Sequence, residues 1–365
     1  MMKFDLPKDV VEEILSRVPA KSLKRLRSTC KLWNSLFTDK GFTEKHCRNA
    51  PKQSLVLMLK ELRVGLNTGA SHVDFKGALA LEDSHSNPQQ VDISTVFHCD
   101  SLLLCTTRNN RRHVVVWNPC LGETKWIQLK TCDPGYHSFA LGYENNQSCR
   151  SYKILRWYYH GDRVVVLEMY DFGSDSWRNL DLGALNCCIQ QNDVSFKGDT
   201  YWLARIDSKS DLLLVSFDFT SESFRRLCLP AFQDPGWMSL SVVREERLLV
   251  LHRNFGASKI EMWVANEIDT EAVRWSKCFT MDMVAPIHSY PSRFPMRFLF
   301  DEEKKVAVCC DGYVEGSKVI YTIQKYYTEA PFVETTQVSC CPFIFSYVPS
   351  LVQIPEKERE KKRIN

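Results

Sequence analysis

The sequence predicts an α+β multidomain chain: a small three-helix module followed by an all-β domain of repeated strand hairpins. Three observations predict it. The first forty or so residues place apolar side chains at helical spacing. The following three hundred hold short β-forming runs between turn residues, and those runs recur with a period near fifty.

In the helical part, Val10, Val11, Ile14, Leu15 and Val18 mark one face of a helix that opens at Pro7. Proline suits a first turn because its missing N–H has no partner there anyway. Asp9, Glu12 and Glu13 lie near the positive end of the helix dipole and Arg17 near the negative end. Pro19 ends this helix by pushing its predecessor out of the α region. Leu23 and Leu26, flanked by Lys21, Lys24, Arg25 and Arg27, make a second helix, and Cys30, Trp33, Leu36 and Phe37 a third.

A unit of about 40 residues seldom holds together alone. Burying Ile14, Leu15, Leu23, Leu26 and Trp33 contributes on the order of 10 kcal/mol, less than the chain entropy it must offset. Something outside the module completes its apolar surface. On pattern alone that is either another protein or the rest of this chain.

After Pro51 the runs are short and rich in β-formers, as in Ser54–Lys60, Ser101–Cys105, Val114–Trp117, Val164–Tyr170, Leu212–Phe219, Arg247–Leu251, Lys259–Val264, Lys305–Cys310 and Val319–Ile323. Three copies of one pattern align: Val115–Trp126, Leu167–Trp177 and Leu214–Phe224. A looser fourth joins Ile260–Trp263 to Val273–Trp275. Each reads as a strand, an Asn or Asp turn, a polar tip, and an aromatic opening the next strand. The aromatics Trp126, Trp177, Phe224 and Trp275 are separated by 51, 47 and 51 residues. Hairpins at that spacing predict kelch-like β-propeller blades, with the aromatic wedged between neighbours. A two-sheet β-sandwich is the alternative.

Composition excludes several function classes. Forty-seven basic against 44 acidic residues leave a net charge of +3, without the basic stripe of a nucleic-acid binder. Fifteen cysteines include the doublets Cys187-Cys188, Cys309-Cys310 and Cys340-Cys341 but no CxxC. Neighbours on a strand face opposite ways, so these are expected to pack as reduced thiols, in the cytosol or nucleus, rather than form a disulfide framework or a zinc site. No signal peptide or membrane span is expected. The tail Glu356–Arg363 is a charged run ending Lys361-Lys362-Arg363, read as solvated, with nuclear targeting the lesser reading.

No P-loop, GxGxxG, GxSxG or HExxH occurs. His98-Cys99 is expected to be a strand pair rather than a metal site, and Trp157-Tyr158-Tyr159-His160 to be strand core and edge. No cofactor, metal or catalytic residue is assigned.

The run from Leu6-Pro7-Lys8-Asp9-Val10-Val11-Glu12-Glu13-Ile14-Leu15 to Val18-Pro19, continued by Leu23, Leu26, Cys30 and Trp33 and ending at Phe42 and His46, closely resembles an F-box. The resemblance implies docking on a Skp-type adaptor and, through it, a cullin, with Leu6, Pro7, Ile14, Leu15, Val18, Leu23 and Trp33 at the adaptor interface. The later pieces Trp117-Asn118-Pro119, Gly122–Trp126, Gly142-Tyr143, Tyr152–Leu155, Tyr170-Asp171, Gly198–Leu203 and Ser216–Phe219 resemble the F-box-associated domain of a large plant family. Residues 1–47 are then the adaptor module, 48–355 the target-recognition domain and 356–365 the tail.

The function this implies is the substrate receptor of a ubiquitin ligase, a non-catalytic subunit that binds a target protein. A propeller lectin or enzyme carrying an F-box, and an adaptor-bound scaffold without ligase partners, are the alternatives. Candidate target-binding loops are Asp133–Tyr136, Asn145–Arg150, Asp234–Trp237 and Ser289–Pro295.

Overall fold

A computed structural model describes residues 6–52, 55–60, 63–67, 75–79, 81, 91–108, 110–130, 137–145, 150–160, 163–180, 187–189, 193–206, 212–232, 236–243, 246–254, 259–269, 272–282, 297–302, 305–315, 318–327, 333–338 and 343–355. The charged tail and Cys340-Cys341 lie outside the described residues, as do most of the four candidate loops.

The helical part holds four helices where the apolar spacing predicts three: α1 Lys8–Ser16, α2 Ala20–Arg27, α3 Lys31–Thr38 and α4 Lys40–Asn49. Pro7 and Pro19 stand directly before α1 and α2, where their lost N–H costs nothing. The extra helix, α4, is nearly all polar, and only Phe42 and His46 are buried. Its start is set by Asp39, whose carboxylate accepts from the Phe42 N–H at 2.9 Å.

The strands are β1 Leu55–Lys60, β2 Arg63–Asn67 and β3 Phe75–Leu79; β4 Ile93–Cys99, β5 Leu102–Thr107, β6 His113–Asn118 and β7 Glu123–Gln128; β8 His137–Asn145, β9 Arg150–His160, β10 Arg163–Asp171 and β11 Ser176–Asn179. Next come β12 Cys188–Ile189, β13 Val194–Phe196, β14 Asp199–Arg205, β15 Leu213–Asp218 and β16 Ser223–Leu227; β17 Gly236–Val243, β18 Arg247–Asn254, β19 Lys259–Ile268 and β20 Val273–Asp282. The last are β21 Arg297–Asp301, β22 Val306–Glu315, β23 Lys318–Tyr327, β24 Val333–Val338 and β25 Phe343–Tyr347.

Every pairing among them is antiparallel, and they form six separate sheets. Five are consecutive blades, and the sixth is composite: β25 returns to pair with β1, matching Leu57 to Phe345. The first strands of the blades touch in cyclic order, β4 to β8, β8 to β13, β13 to β17, β17 to β21, β21 to β25 and β25 to β4. This is a closed propeller of six blades, not a sandwich.

The repeated hairpin tips share one construction. Asp171 accepts from the backbone N–H of Gly173 (2.7 Å) and Ser174 (3.0 Å), and Asp218 from Thr220 (2.7 Å) and Ser221 (3.1 Å). Asn118 accepts from Leu121 at 3.1 Å. Four residues after each anchor the backbone turns left-handed, at Gly122, Asp175 and Glu222. Three of the aromatics that follow lean on the preceding blade: Trp177 Nε1 donates to the Gln128 carbonyl and Trp275 Nε1 to that of Cys228, both at 2.9 Å, and Trp126 packs with the first blade's core. Phe224 instead meets Trp202 and Phe217 of its own blade.

Two glycines let adjacent blades approach. A Cβ on Gly142 would collide with the Phe219 ring and the Gly198 carbonyl, while Gly198 turns at φ +93° and accepts from the Tyr143 N–H. Nearby, Lys153 bridges Glu144 of its own blade and Glu222 of the next, and Arg178 also binds Glu222. Burial pushes the Glu222 carboxyl up, but the hydrogen bonds from Arg178 and Lys153 outweigh it and hold it below the ordinary glutamate value.

Beyond β25 the chain runs as a strap, residues 348–355, across the hairpin tips of the second blade. Ser101 Oγ donates to the Val348 carbonyl, the Cys120 N–H to the Tyr347 hydroxyl at 3.2 Å, and Lys125 Nζ to the Pro355 carbonyl at 3.3 Å. Asn118, fully buried, donates its amide to the Val352 carbonyl at 2.6 Å. The corresponding tips carry Asp, which accepts the turn's N–H groups but has no proton for a strap. The Asn118 amide does both.

The doublet Cys309-Cys310 packs as its strand geometry dictates, Cys309 into one core cluster and Cys310 into another. Among the described residues there is no disulfide.

Two measurements check this account. Asn118→Asp leaves a carboxylate facing carbonyls and is expected to cost about 2–3 kcal/mol in urea unfolding, whereas Asp171→Asn at the equivalent tip is expected to cost less. Because Glu222 has a depressed folded pKa, its contribution is present above the unfolded value near pH ~4.3 and is lost as pH falls through the folded one. The stability gap between the native chain and Glu222→Gln should therefore close on acidification below pH ~4.

Candidate functional site

The helical module has two apolar faces, and only one is covered. Leu15, Ala20, Leu23, Phe37 and Phe42 form a core together with Cys120 from a hairpin tip and Leu351 from the strap, with Val11, Val18, Leu26, Trp33 and Leu36 packed around it. The module therefore sits on the second blade, with Arg27 3.4 Å from Glu123. Within it, α4 pins α1: the His46 ring meets the Val18 carbonyl at 2.8 Å, Asn49 donates to Ser16, and Lys45 pairs with Glu13 at 2.9 Å.

The uncovered face follows from helical spacing. On α1, Val11 and Leu15 turn inward, as does Val18 just beyond it, whereas Val10 and Ile14, four residues apart, face outward; Leu6, ahead of the Pro7 cap and outside the helix, is exposed as well. Leu6 is 53% exposed, Ile14 51% and Val10 38%, and Leu32 at the start of α3 is 64% exposed. Contiguous exposed apolar surface is of the kind that a partner can cover.

Of the seven residues that the motif assigns to an adaptor, the structure brings Leu6, Pro7 and Ile14 to the surface. Val18 and Trp33 are half-buried, and Leu15 and Leu23 are enclosed in the chain's own core. The last two shape the surface from beneath and do not present themselves to a partner. Val10 and Leu32 are additions; the four-residue spacing to Ile14 on one helix signals Val10, whereas nothing in the sequence separates Leu32 from a core position.

In the propeller, a cavity of about 320 Å³ lies on the axis among the innermost strands, and a smaller one of about 100 Å³ lies toward the opposite face. Between them Arg297 donates to the Asp193 carbonyl at 2.9 Å and its carboxylate at 2.8 Å. The guanidinium lies 4.5 Å over the Phe343 ring. His98 also faces the larger cavity, stacked on Phe345, and burial pulls its imidazole down to about 4. Its neighbour Cys99 turns away to meet Ser195. Among the described residues no cluster of His, Cys, Asp or Glu could hold a metal. Trp157 is buried edge-on against Trp202, a packing role, while the side chains of Tyr159 and His160 lie outside the described residues.

Of the four candidate loops the structure describes only flanking residues: Asn145 pairs with Arg150 where β8 meets β9, and Gly236 and Trp237 open β17. The rest, with all of Asp133–Tyr136 and Ser289–Pro295, lies outside the described residues.

Comparison with known proteins agrees with both parts. Residues 4–45 match the model of the F-box domain, and residues 54–354 that of the F-box associated beta propeller domain. A putative F-box/kelch-repeat protein of Arabidopsis thaliana is 52% identical over 372 residues, covering 98% of each chain. Putative F-box only protein 9 of the same plant is 49% identical over 379 residues, again covering 98% of each. Among solved structures, a polysaccharide lyase described as an ulvan lyase aligns at a TM-score of 0.40 and 8% identity, over 70% of this chain and 91% of that one.

The two faces of α1 should separate in thermal and urea unfolding of the full chain. Ile14→Asp places a charge in water and is expected to change stability by less than about 0.5 kcal/mol. Leu15→Asp buries one and is expected to cost more than about 4 kcal/mol.

Proposed function

Because the chain belongs to the F-box proteins that carry an F-box associated beta propeller domain, we propose that it is the target-selecting subunit of a Skp–cullin–F-box ubiquitin ligase. The F-box domain is generally a Skp1-binding module, and the exposed apolar surface of Leu6, Val10 and Ile14 is the observation that carries the assignment to this chain. A helix face of that kind fills an apolar groove through a few large anchors.

The division of labour follows from how the parts are joined. The module's other face is fixed to the second blade through Cys120 and Leu351, so an adaptor held on α1 takes a defined orientation relative to the ring. A target protein captured by the propeller is then held near the ligase's catalytic partners. The contribution is proximity and orientation, with bond-making done by other subunits. We read the chain itself as non-catalytic. The face of the ring away from the helices would receive the target while the adaptor is bound. The same reading puts the chain in the cytosol or nucleus, where its many thiols stay reduced.

Co-expression with a Skp-type adaptor tests the proposal. The native chain is expected to co-purify with it at one to one and to bring down a cullin. Leu6→Asp combined with Ile14→Asp should abolish the complex while the unfolding curve stays in place. An intact complex with that double variant would put the interface elsewhere, and an adaptor complex that never recruits a cullin would make the chain a scaffold.

A further inference from the structure

The larger axial cavity has a charge pattern that the adaptor and target contacts leave unused. Its ionisable lining is Lys52, Asp100, Arg150, Asp193, Lys197 and Arg297. The neighbouring His98 stays neutral near pH 7 because burial disfavours its charged form. Four cations therefore face two carboxylates, and both carboxylates are already engaged. Asp100 accepts from Arg150 and from the Tyr152 hydroxyl, and Asp193 from Arg297.

The remaining positive charge is poorly matched. Among the described residues, Lys197 meets the face of the Phe196 ring, 5.1 Å from its centroid, and no carboxylate. Lys52 lies 3.5 Å from Glu246 in an exposed pair of the solvent-screened kind. The Nε of Arg297 is buried and finds no acceptor among the described residues. The Ser241 hydroxyl lines the same space and adds a neutral donor. A concavity with an excess of one charge focuses its field on whatever enters. The volume, about 320 Å³, is at the lower end of the range for small-molecule sites.

We propose that this axial cavity binds a small organic polyanion, a molecule carrying two or more phosphate or carboxylate groups. Lys197 and Lys52 stand at its mouth on the F-box side, and Arg297 forms its floor. Arg150, oriented by Asp100 and lying 4.8 Å over the Tyr143 ring, makes one wall. Lys52 also belongs to the short link between α4 and β1, so a bound anion would bear directly on the joint between the two domains.

Titration calorimetry on the full chain at low ionic strength tests this, with inorganic pyrophosphate in one arm, citrate in a second and glucose as the uncharged control. Saturable one-to-one binding of at least one anion, with a dissociation constant below about 1 mM and none for glucose, is expected. Which anion binds separates a phosphate site from a carboxylate site. Lys52→Glu with Lys197→Glu should weaken binding at least about tenfold, and Lys197→Gln alone should weaken it measurably without reversing any charge. Arg111→Glu with Lys130→Glu makes the same change in net charge away from the axis and should have little effect. Failure of both anions to bind, equal binding of glucose, or an equal loss in the Arg111/Lys130 variant would overturn the proposal.

Discussion

A propeller exists only if its first and last blades meet, and here that depends on one antiparallel pairing between β1 and β25, strands whose residues lie nearly three hundred positions apart. Without it the sheet of β1, β2 and β3 would present an open edge, and the ring of innermost strands would lack the member that touches both β21 and β4. Open edges invite pairing with other chains, and closure removes them. The entropy of closing so long a loop grows only with the logarithm of its length, so a five-residue strand with matched register is sufficient. The axial cavity, the strap and the seat of the helical module are all consequences of that closure, because each uses residues brought together by it.

Closure alone leaves the blades free to splay, and the seams prevent this by three different means. At some the aromatic after the hairpin tip donates to the blade before it, as Trp177 and Trp275 do. Between the third and fourth blades the absence of a Cβ at Gly142 lets the Phe219 ring sit against the backbone, and Lys153 with Arg178 holds Glu222 across the gap. The second seam carries the strap, and it is where the helices attach. That Asn118 occupies a position where the next two blades have Asp171 and Asp218 therefore fits its being the blade with a passenger.

Much of this was legible in the sequence, for identifiable reasons. The helices announce themselves because proline starts and apolar spacing coincide, and blades two to four because each has an Asx-anchored tip followed by an aromatic about fifty residues from the next, a spacing that Trp275 carries into the fifth. The first blade gives no such signal, since its strands come from opposite ends of the chain and no local pattern can reveal that. Helix α4 escapes because its surface is polar and its start rests on one capping aspartate. The motif that suggests an adaptor names Leu15 and Leu23 beside Ile14 without telling inward from outward. That distinction depends on what lies underneath, and Leu351 is more than three hundred residues away. The Arg297–Asp193 pair is invisible for the same reason, since two strands of separate blades meet only at the axis.

The strap also imposes an order on synthesis. The helical module leaves the ribosome before the propeller, yet its core contains Leu351 and Cys120. At a translation rate of about 5–20 residues per second, the three hundred residues between α4 and the strap take roughly 15–60 seconds to appear. Throughout that interval the module's inner face lacks Leu351, and it is completed only when the propeller has closed and the strap crosses the second blade. A finished helical surface thus reports that the chain has been made as far as the strap.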